Sequence, residues 1–159
     1  MKAYPLGIQT FEKIINDNFR YIDKTKEIYH LTRFGRYYFY ARPRRFGKSL
    51  TLSTIKSLYE GRKDLFKGLW IEDKWDWSKK HPAIHIGFSG MGHRVIGLEE
   101  GINKTLNRLG KTYNIVFQDN DYINNFRTLI QEVAKQKGKV ILLIDEYDKP
   151  IIDYLGKDV

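Results

Sequence analysis

The chain has 159 residues, enough for one domain with a real core, and 42% of them are apolar, which excludes a disordered segment. It has no cysteine, which excludes disulfides and thiolate metal sites and fits a reducing, cytoplasmic setting. The formal charge of +9 suits nucleic acid, anionic lipid or a multiply charged ligand, and equally suits lysines scattered over solvated helix faces.

The start, MKAYPLGIQTF, lacks the apolar run of a signal peptide, and no stretch reaches the roughly 18 apolar residues of a membrane span. Residues 6–15 read as a first helix or turn. YIDKT at 21–25 reads as an extended piece leading into a helix capped by Asp23 or Thr25. Ile28, Leu31 and Phe34 follow at helical spacing, and Gly35 stops the helix. Residues 37–41 form a β-prone run that Pro43 ends. From Lys48 the pattern is helical, with Leu50, Leu52, Ile55, Leu58 and Tyr59 on the apolar face before Gly61. Residues 62–80 are irregular and hold all three tryptophans, Trp70, Trp75 and Trp77, read as packing beneath a long connection.

A second strand is expected at 82–88, ending in a turn around Ser89 and Gly90. Val95, Leu98, Ile102, Leu106 and Leu109 then predict a helix closed by Gly110, and Tyr122, Phe126, Leu129, Ile130 and Val133 another closed near Gly138. Residues 140–144, VILLI, are apolar at every position, so this strand is expected to be covered on both faces at the centre of a parallel sheet. Strands alternating with helices predict an α/β fold, a parallel sheet flanked by helices.

Two stretches carry chemistry. In FYARPRRFGKSL at 39–50, Gly47-Lys48-Ser49 is the tail of the phosphate-loop pattern G-x-x-x-x-G-K-[ST], with Arg42 where the pattern opens on glycine. A bare G-K-S is weak, but this one follows a β-prone run and opens an amphipathic helix, whose unpaired N–H groups and dipole attract anions. Gly47 would let phosphate approach the backbone, Lys48 would reach the β- and γ-phosphates, and the Ser49 hydroxyl would hold Mg²⁺. Pro43 biases Arg42 to an extended geometry, so the chain leaves the run by a stiffer route and still arrives at Gly47. Arg42, Arg44 and Arg45 either add charge around the phosphates or turn outward. Far down the chain, ILLIDEYDKP places Asp145 at the carboxyl end of a buried strand, where open α/β sheets bind ligands. Asp145 would face the Mg²⁺ shell and Glu146 would act as general base toward water. Alternatively both acids cap the strand end, and Asp148 either joins the site or caps the next helix. His30, His81, His85 and His93 show no zinc-ligand spacing.

With those residues in view, the chain resembles the AAA-ATPase-like proteins of bacteria and archaea, whose phosphate loop is written R-P-R-R-F-G-K-S. The resemblance rests on GIQTFEKI at 7–14, YIDKT at 21–25, YYFYARPRRFGKSL at 37–50, the LYEG and LFKGLWI pieces of 58–71, HPAIHIGFS at 81–89 and LLIDEYDKPI at 142–151. It makes Arg42 a family trait. It implies an ATP-binding P-loop NTPase domain of the additional-strand catalytic-glutamate type. Arg44, Arg45, Phe46, Gly47, Lys48, Ser49 and Leu50 would then hold the nucleotide, Ser49 and Asp145 the Mg²⁺, with Glu146 and Lys48 catalytic. It leaves Tyr21, Asp23 or Thr25 as residues near the adenine, a role that competes with helix capping by Asp23. Members of this family continue through further ATPase strands, and many end in a restriction-like nuclease domain. The chain therefore matches the N-terminal part of such a protein, without the strand bearing the polar sensor and without an arginine finger. The resemblance predicts weak or absent turnover and poor stability for the chain alone, and either a truncated ATPase or a downstream chain that supplies the missing strand. Nucleic-acid binding without hydrolysis, and a remnant with only an interaction role, are the rival readings.

Overall fold

The computed structural model describes residues 2–43, 45–92 and 96–155. The chain divides into two compact units, Met1–Lys80 and His81–Val159.

The first unit is helical. Helix α1 (Phe11–Asn16) lies against α3 (Lys48–Tyr59), and α2 (Thr25–Leu31) stands between them in sequence. Its core is Phe11, Ile14, Leu58, Phe66 and Ile71, all closed to solvent. Each such side chain contributes about 1.5–3 kcal/mol by leaving water. Phe11 is the hub, with the Tyr21 ring 4.9 Å away edge-on and the Phe66 ring 4.8 Å away. Its backbone N–H also donates to the Ser53 hydroxyl at 3.0 Å, which fixes the start of α1 on α3. The tryptophans pack as expected: Trp70 and Trp75 on Tyr29, Trp75 on Tyr59, and Trp77 on Phe66.

The YIDKT segment is used structurally. One Asp23 oxygen accepts from the Thr25 N–H at 2.8 Å and the Thr25 hydroxyl at 2.7 Å, while the other accepts from the Trp70 N–H at 2.7 Å. Helix α2 thus begins on a side chain that also binds the tryptophan-bearing connection. It ends at Leu31, short of the expected stop at Gly35, so Phe34 remains 81% exposed. The expected strand at 37–41 is not formed. Among the described residues it has no ladder partner, and Tyr37 is 94% and Phe39 75% exposed. Its β-propensity reflects a fit to a pleated, half-buried surface, a preference that only strand pairing realises.

The second unit holds a two-stranded parallel sheet. Strand β1 (Ala83–Gly87) is followed by α4 (Leu98–Thr112), α5 (Tyr122–Lys137), β2 (Ile141–Asp145) and α6 (Lys149–Tyr154). The register pairs Ala83 with Ile141 and Gly87 with Asp145. Parallel strands need such a crossover, and here two helices supply it. Leu106, Leu129 and Val133 close with Ile84 and Ile86 into one core. Asp121 caps α5 by accepting from the N–H groups of Ile123 and Asn124, a cap that the apolar spacing did not flag. Val95, expected in the first of these helices, and His93 lie outside the described residues.

Two expectations for this unit are corrected. Gly110 does not close α4, which runs on to Thr112. A Cβ at position 110 would stand 2.9 Å from the Ile115 carbonyl oxygen and 2.9 Å from the Phe117 ring. The glycine is there because the chain folds back over its own helix. Strand β2 is also not covered on both faces, for Leu142 is 40% and Ile144 45% exposed. The register sets them beside Ile84 and Ile86, on the face that α4 and α5 cover over β1 and leave partly open over β2. Five apolar residues in a row report β-preference and low polarity, not the number of neighbouring layers.

Two outcomes follow from these contacts. Asp23→Ala leaves the N–H groups of Thr25 and Trp70 without their acceptor and should cost about 1 kcal/mol, or roughly 2–4 °C in Tm. Partial burial opposes ionisation of Asp23, but the bonds from Trp70 and Thr25 outweigh it and hold the carboxyl below the usual range. The stabilisation is therefore present above the unfolded carboxylate pKa of about 3.9 and disappears as pH falls through the lower folded value. Melting curves of both proteins should differ by a constant gap from pH 6 to 8 that closes in acid. Gly110→Ala, although alanine is the better helix former, should lower stability by about 1–3 kcal/mol in urea titration, because the atom opposing the new methyl is backbone oxygen.

Candidate functional site

The loop residues belong to the first unit, and Asp145 and Glu146 to the second. In the loop, Pro43 accepts from the Phe46 N–H at 3.4 Å and the backbone then turns sharply. Arg45 at φ 67° and Gly47 at φ 76° both lie in the left-handed region. That conformation costs a non-glycine residue roughly 1–2 kcal/mol, so position 47 suits glycine and position 45 carries strain. A Cβ at Gly47 would meet nothing within 4 Å, so the glycine answers to its dihedral and not to crowding.

Gly47 is the N-cap of α3, with no side-chain cap and no acidic residue in the first turn. The first amides of this 12-residue helix are thus left to an external acceptor. Lys48 and Ser49 sit in that turn, half-buried, with Leu50 beside them, while Arg42, Arg45 and Phe46 are exposed. The Lys48 ammonium donates to the Arg42 carbonyl oxygen at 3.0 Å. The Thr51 N–H and hydroxyl both donate to the Gly47 carbonyl, at 2.9 and 3.0 Å. Thr51 was not singled out in the sequence, since the loop pattern stops at Ser49. Arg44, expected among the nucleotide-binding residues, lies outside the described residues.

Of the adenine candidates, Asp23 accepts from the Thr25 hydroxyl and from the Trp70 N–H. Tyr21 packs on Phe11 and hydrogen-bonds Thr54, and burial pushes its hydroxyl pKa up. All three residues are occupied by the fold of their own unit.

Asp145 ends β2 at the carboxyl edge of the sheet, as expected. It is only 9% exposed, its backbone ends the ladder opposite Gly87, and its carboxylate makes no hydrogen bond or ion pair among the described residues. Glu146 follows at φ 52°, a left-handed conformation uncommon for a residue other than glycine, and its carbonyl accepts from the Lys149 N–H at 3.0 Å. Asp148 stands at the N-cap of α6, the position the cap reading gives it, with its carbonyl accepting from the Ile152 N–H and its side chain making no cap bond. Lys149 instead pairs with the buried Asp153 at 3.0 Å.

The chain belongs to the predicted AAA-ATPase family, whose model matches residues 5–159. It is 42% identical over 159 residues to an uncharacterized protein encoded in the vnfD 5′ region of Azotobacter chroococcum mcd 1. That alignment takes in 98% of this chain and 31% of the relative, so the chain spans about a third of that protein's length. No solved structure matches. Among the described residues, no helix is long and apolar enough to cross a membrane.

The backbone at Glu146 yields a direct test. Glu146→Gly should raise the urea midpoint, through a gain in stability of up to about 1 kcal/mol after the added freedom of the unfolded chain is subtracted, while Glu146→Ala should not. Equal midpoints for the two variants would show that position 146 stores no strain.

Proposed function

We propose that the protein binds ATP with Mg²⁺ and, as part of the longer protein its relative represents, hydrolyses it. The observation that carries this reading is the uncapped first turn of α3. A left-handed glycine, a lysine and a serine stand there in order, in a chain of the predicted AAA-ATPase family. This supports assignment to the P-loop NTPase type, with the loop formed by Arg45, Phe46, Gly47, Lys48, Ser49 and Leu50. The amides of the turn and the Lys48 ammonium would take the β- and γ-phosphates.

Magnesium in nucleotide sites uses one or two protein ligands and completes its shell with phosphate oxygens and water. Among the described residues no three acidic or histidine side chains gather into a protein-only cation cage. The Ser49 hydroxyl and the Asp145 carboxylate are donors of the kind a nucleotide-borne cation takes, and the ion would supply positive charge to the phosphate oxygens. Glu146 would accept the proton of the attacking water at its carboxylate. Further polypeptide completing the ATPase domain is part of the proposal, as is a cytoplasmic setting.

Mg-ATP at a hundred times its Kd should stabilise the protein by about 2.7 kcal/mol, visible as a rise in Tm. Lys48→Ala should abolish that rise. Asp145→Asn should remove its dependence on magnesium, and Glu146→Gln should leave it intact while turnover by the longer protein is lost. A rise with DNA and none with Mg-ATP would favour the nucleic-acid reading in its place.

A further inference from the structure

Three contacts around the loop entrance form a chain that the phosphate-loop pattern does not contain. The Arg42 guanidinium lies 5.2 Å from the centre of the Tyr40 ring. The carbonyl oxygen of the same Arg42 accepts from the Lys48 ammonium at 3.0 Å. Tyr40 is half-buried, and its hydroxyl stands 3.5 Å from the Thr51 hydroxyl, which itself donates to the Gly47 carbonyl at 3.0 Å. The last link between Tyr40 and Thr51 is long for a hydrogen bond, so the ring face carries the argument. One residue therefore touches the entrance of the loop through Arg42 and stands beside its exit at Thr51.

From this geometry we infer that Tyr40 is a positioning residue of the loop. By holding the Arg42 side chain on its ring, it aims the Arg42 carbonyl at Lys48 and keeps Arg42 itself away from the phosphates. This rests on the nucleotide reading above and adds to it a division of labour among the cations. A glycine at the loop entrance has no side chain to place. Arginine does, and unless it is held it would compete with Lys48 for the same anion. A guanidinium is suited to the task because it stacks flat on an aromatic face. With the guanidinium parked, the stiff Arg42-Pro43 step presents its carbonyl at a fixed angle. The ammonium of Lys48 then waits at the mouth of the loop instead of wandering through solvent.

The test is a double-mutant cycle on Mg-ATP affinity by titration calorimetry, using the full chain. Arg42→Gln and Tyr40→Leu should each weaken binding about threefold, the range of an exposed cation–π contact, and the double variant should be no weaker than either single one. Tyr40→Phe, which keeps the ring face, should restore wild-type affinity, a rescue that a general packing role of the hydroxyl would not give. If Tyr40→Leu does not fold, the exposed Arg42→Gln decides alone. A positioning role leaves its loss the same at low and high salt, whereas a phosphate contact loses importance as salt rises. Additive losses, a salt-dependent Arg42 effect, or no loss in either single variant overturns the inference while leaving nucleotide binding in place. Failure of the wild-type chain to bind Mg-ATP overturns the nucleotide reading and this inference with it.

Discussion

The amides at the start of α3 have no carbonyl within the helix to accept from them, and the candidate site depends on what satisfies them. Helix α5 solves the same problem with Asp121, whose carboxylate takes two of its N–H groups. Helix α3 does not, because Gly47 has no side chain and the first turn has no acid. A carboxylate at position 47 would complete the helix and repel phosphate. Glycine leaves the helix incomplete and the anion site open, and its left-handed dihedral turns the chain into the helix without a Cβ penalty. The local instability of the helix end and the capacity to hold an anion are one property.

Elements with a strong period were legible in the sequence. Helix α3 begins at Lys48 and ends before Gly61 as its apolar spacing implies, and β1, α5 and β2 fall within a few residues of their expected bounds. What failed had its cause in three dimensions. The run at 37–41 is β-prone but finds no strand among the described residues. Gly110 looked like a stop because glycine often ends helices, yet here it admits the returning chain at Ile115 and Phe117. The candidates Lys48 and Ser49 in the first unit, and Asp145 and Glu146 in the second, stand out in the sequence as residue types in a known pattern, and their roles rest on the proposal. The left-handed turn at Glu146 and the seating of Arg42 on Tyr40 do not stand out there. A dihedral and a choice between two partners leave no trace in a pattern of letters.

Backbone strain is unevenly placed in the chain. Among the described residues, the positive-φ positions other than glycine are Asn18, Arg45, Asn114 and Glu146. Asparagine tolerates that region because its short polar side chain bonds locally, so Asn18 and Asn114 need no special account. Arg45 and Glu146 have no such excuse. One lies in the segment that leads into α3 and the other directly follows the largely buried Asp145 at the end of β2. The fold holds both positions against their own preference, and sites where strain persists are sites where a particular side-chain direction is being enforced.

The surplus of positive charge reads differently once its partners are known. Arg20 lies 5.5 Å from the centre of the Tyr4 ring, Arg33 4.9 Å from Tyr29 and Arg42 5.2 Å from Tyr40. Arg62 reaches Glu12 at 2.9 Å and Asp64 at 3.2 Å. Net charge counts each of these guanidinium groups as available to an outside anion, but four of them already face a ring or a carboxylate of the same unit. Tyrosine in this chain therefore acts as the neutral counterpart of arginine, satisfying its charge without cancelling it. The total of +9 is unchanged by that pairing, yet the direction in which each arginine points is set by it. A formal sum treats Arg42 as one more phosphate ligand. The ring beneath it makes it part of the frame that aims Lys48.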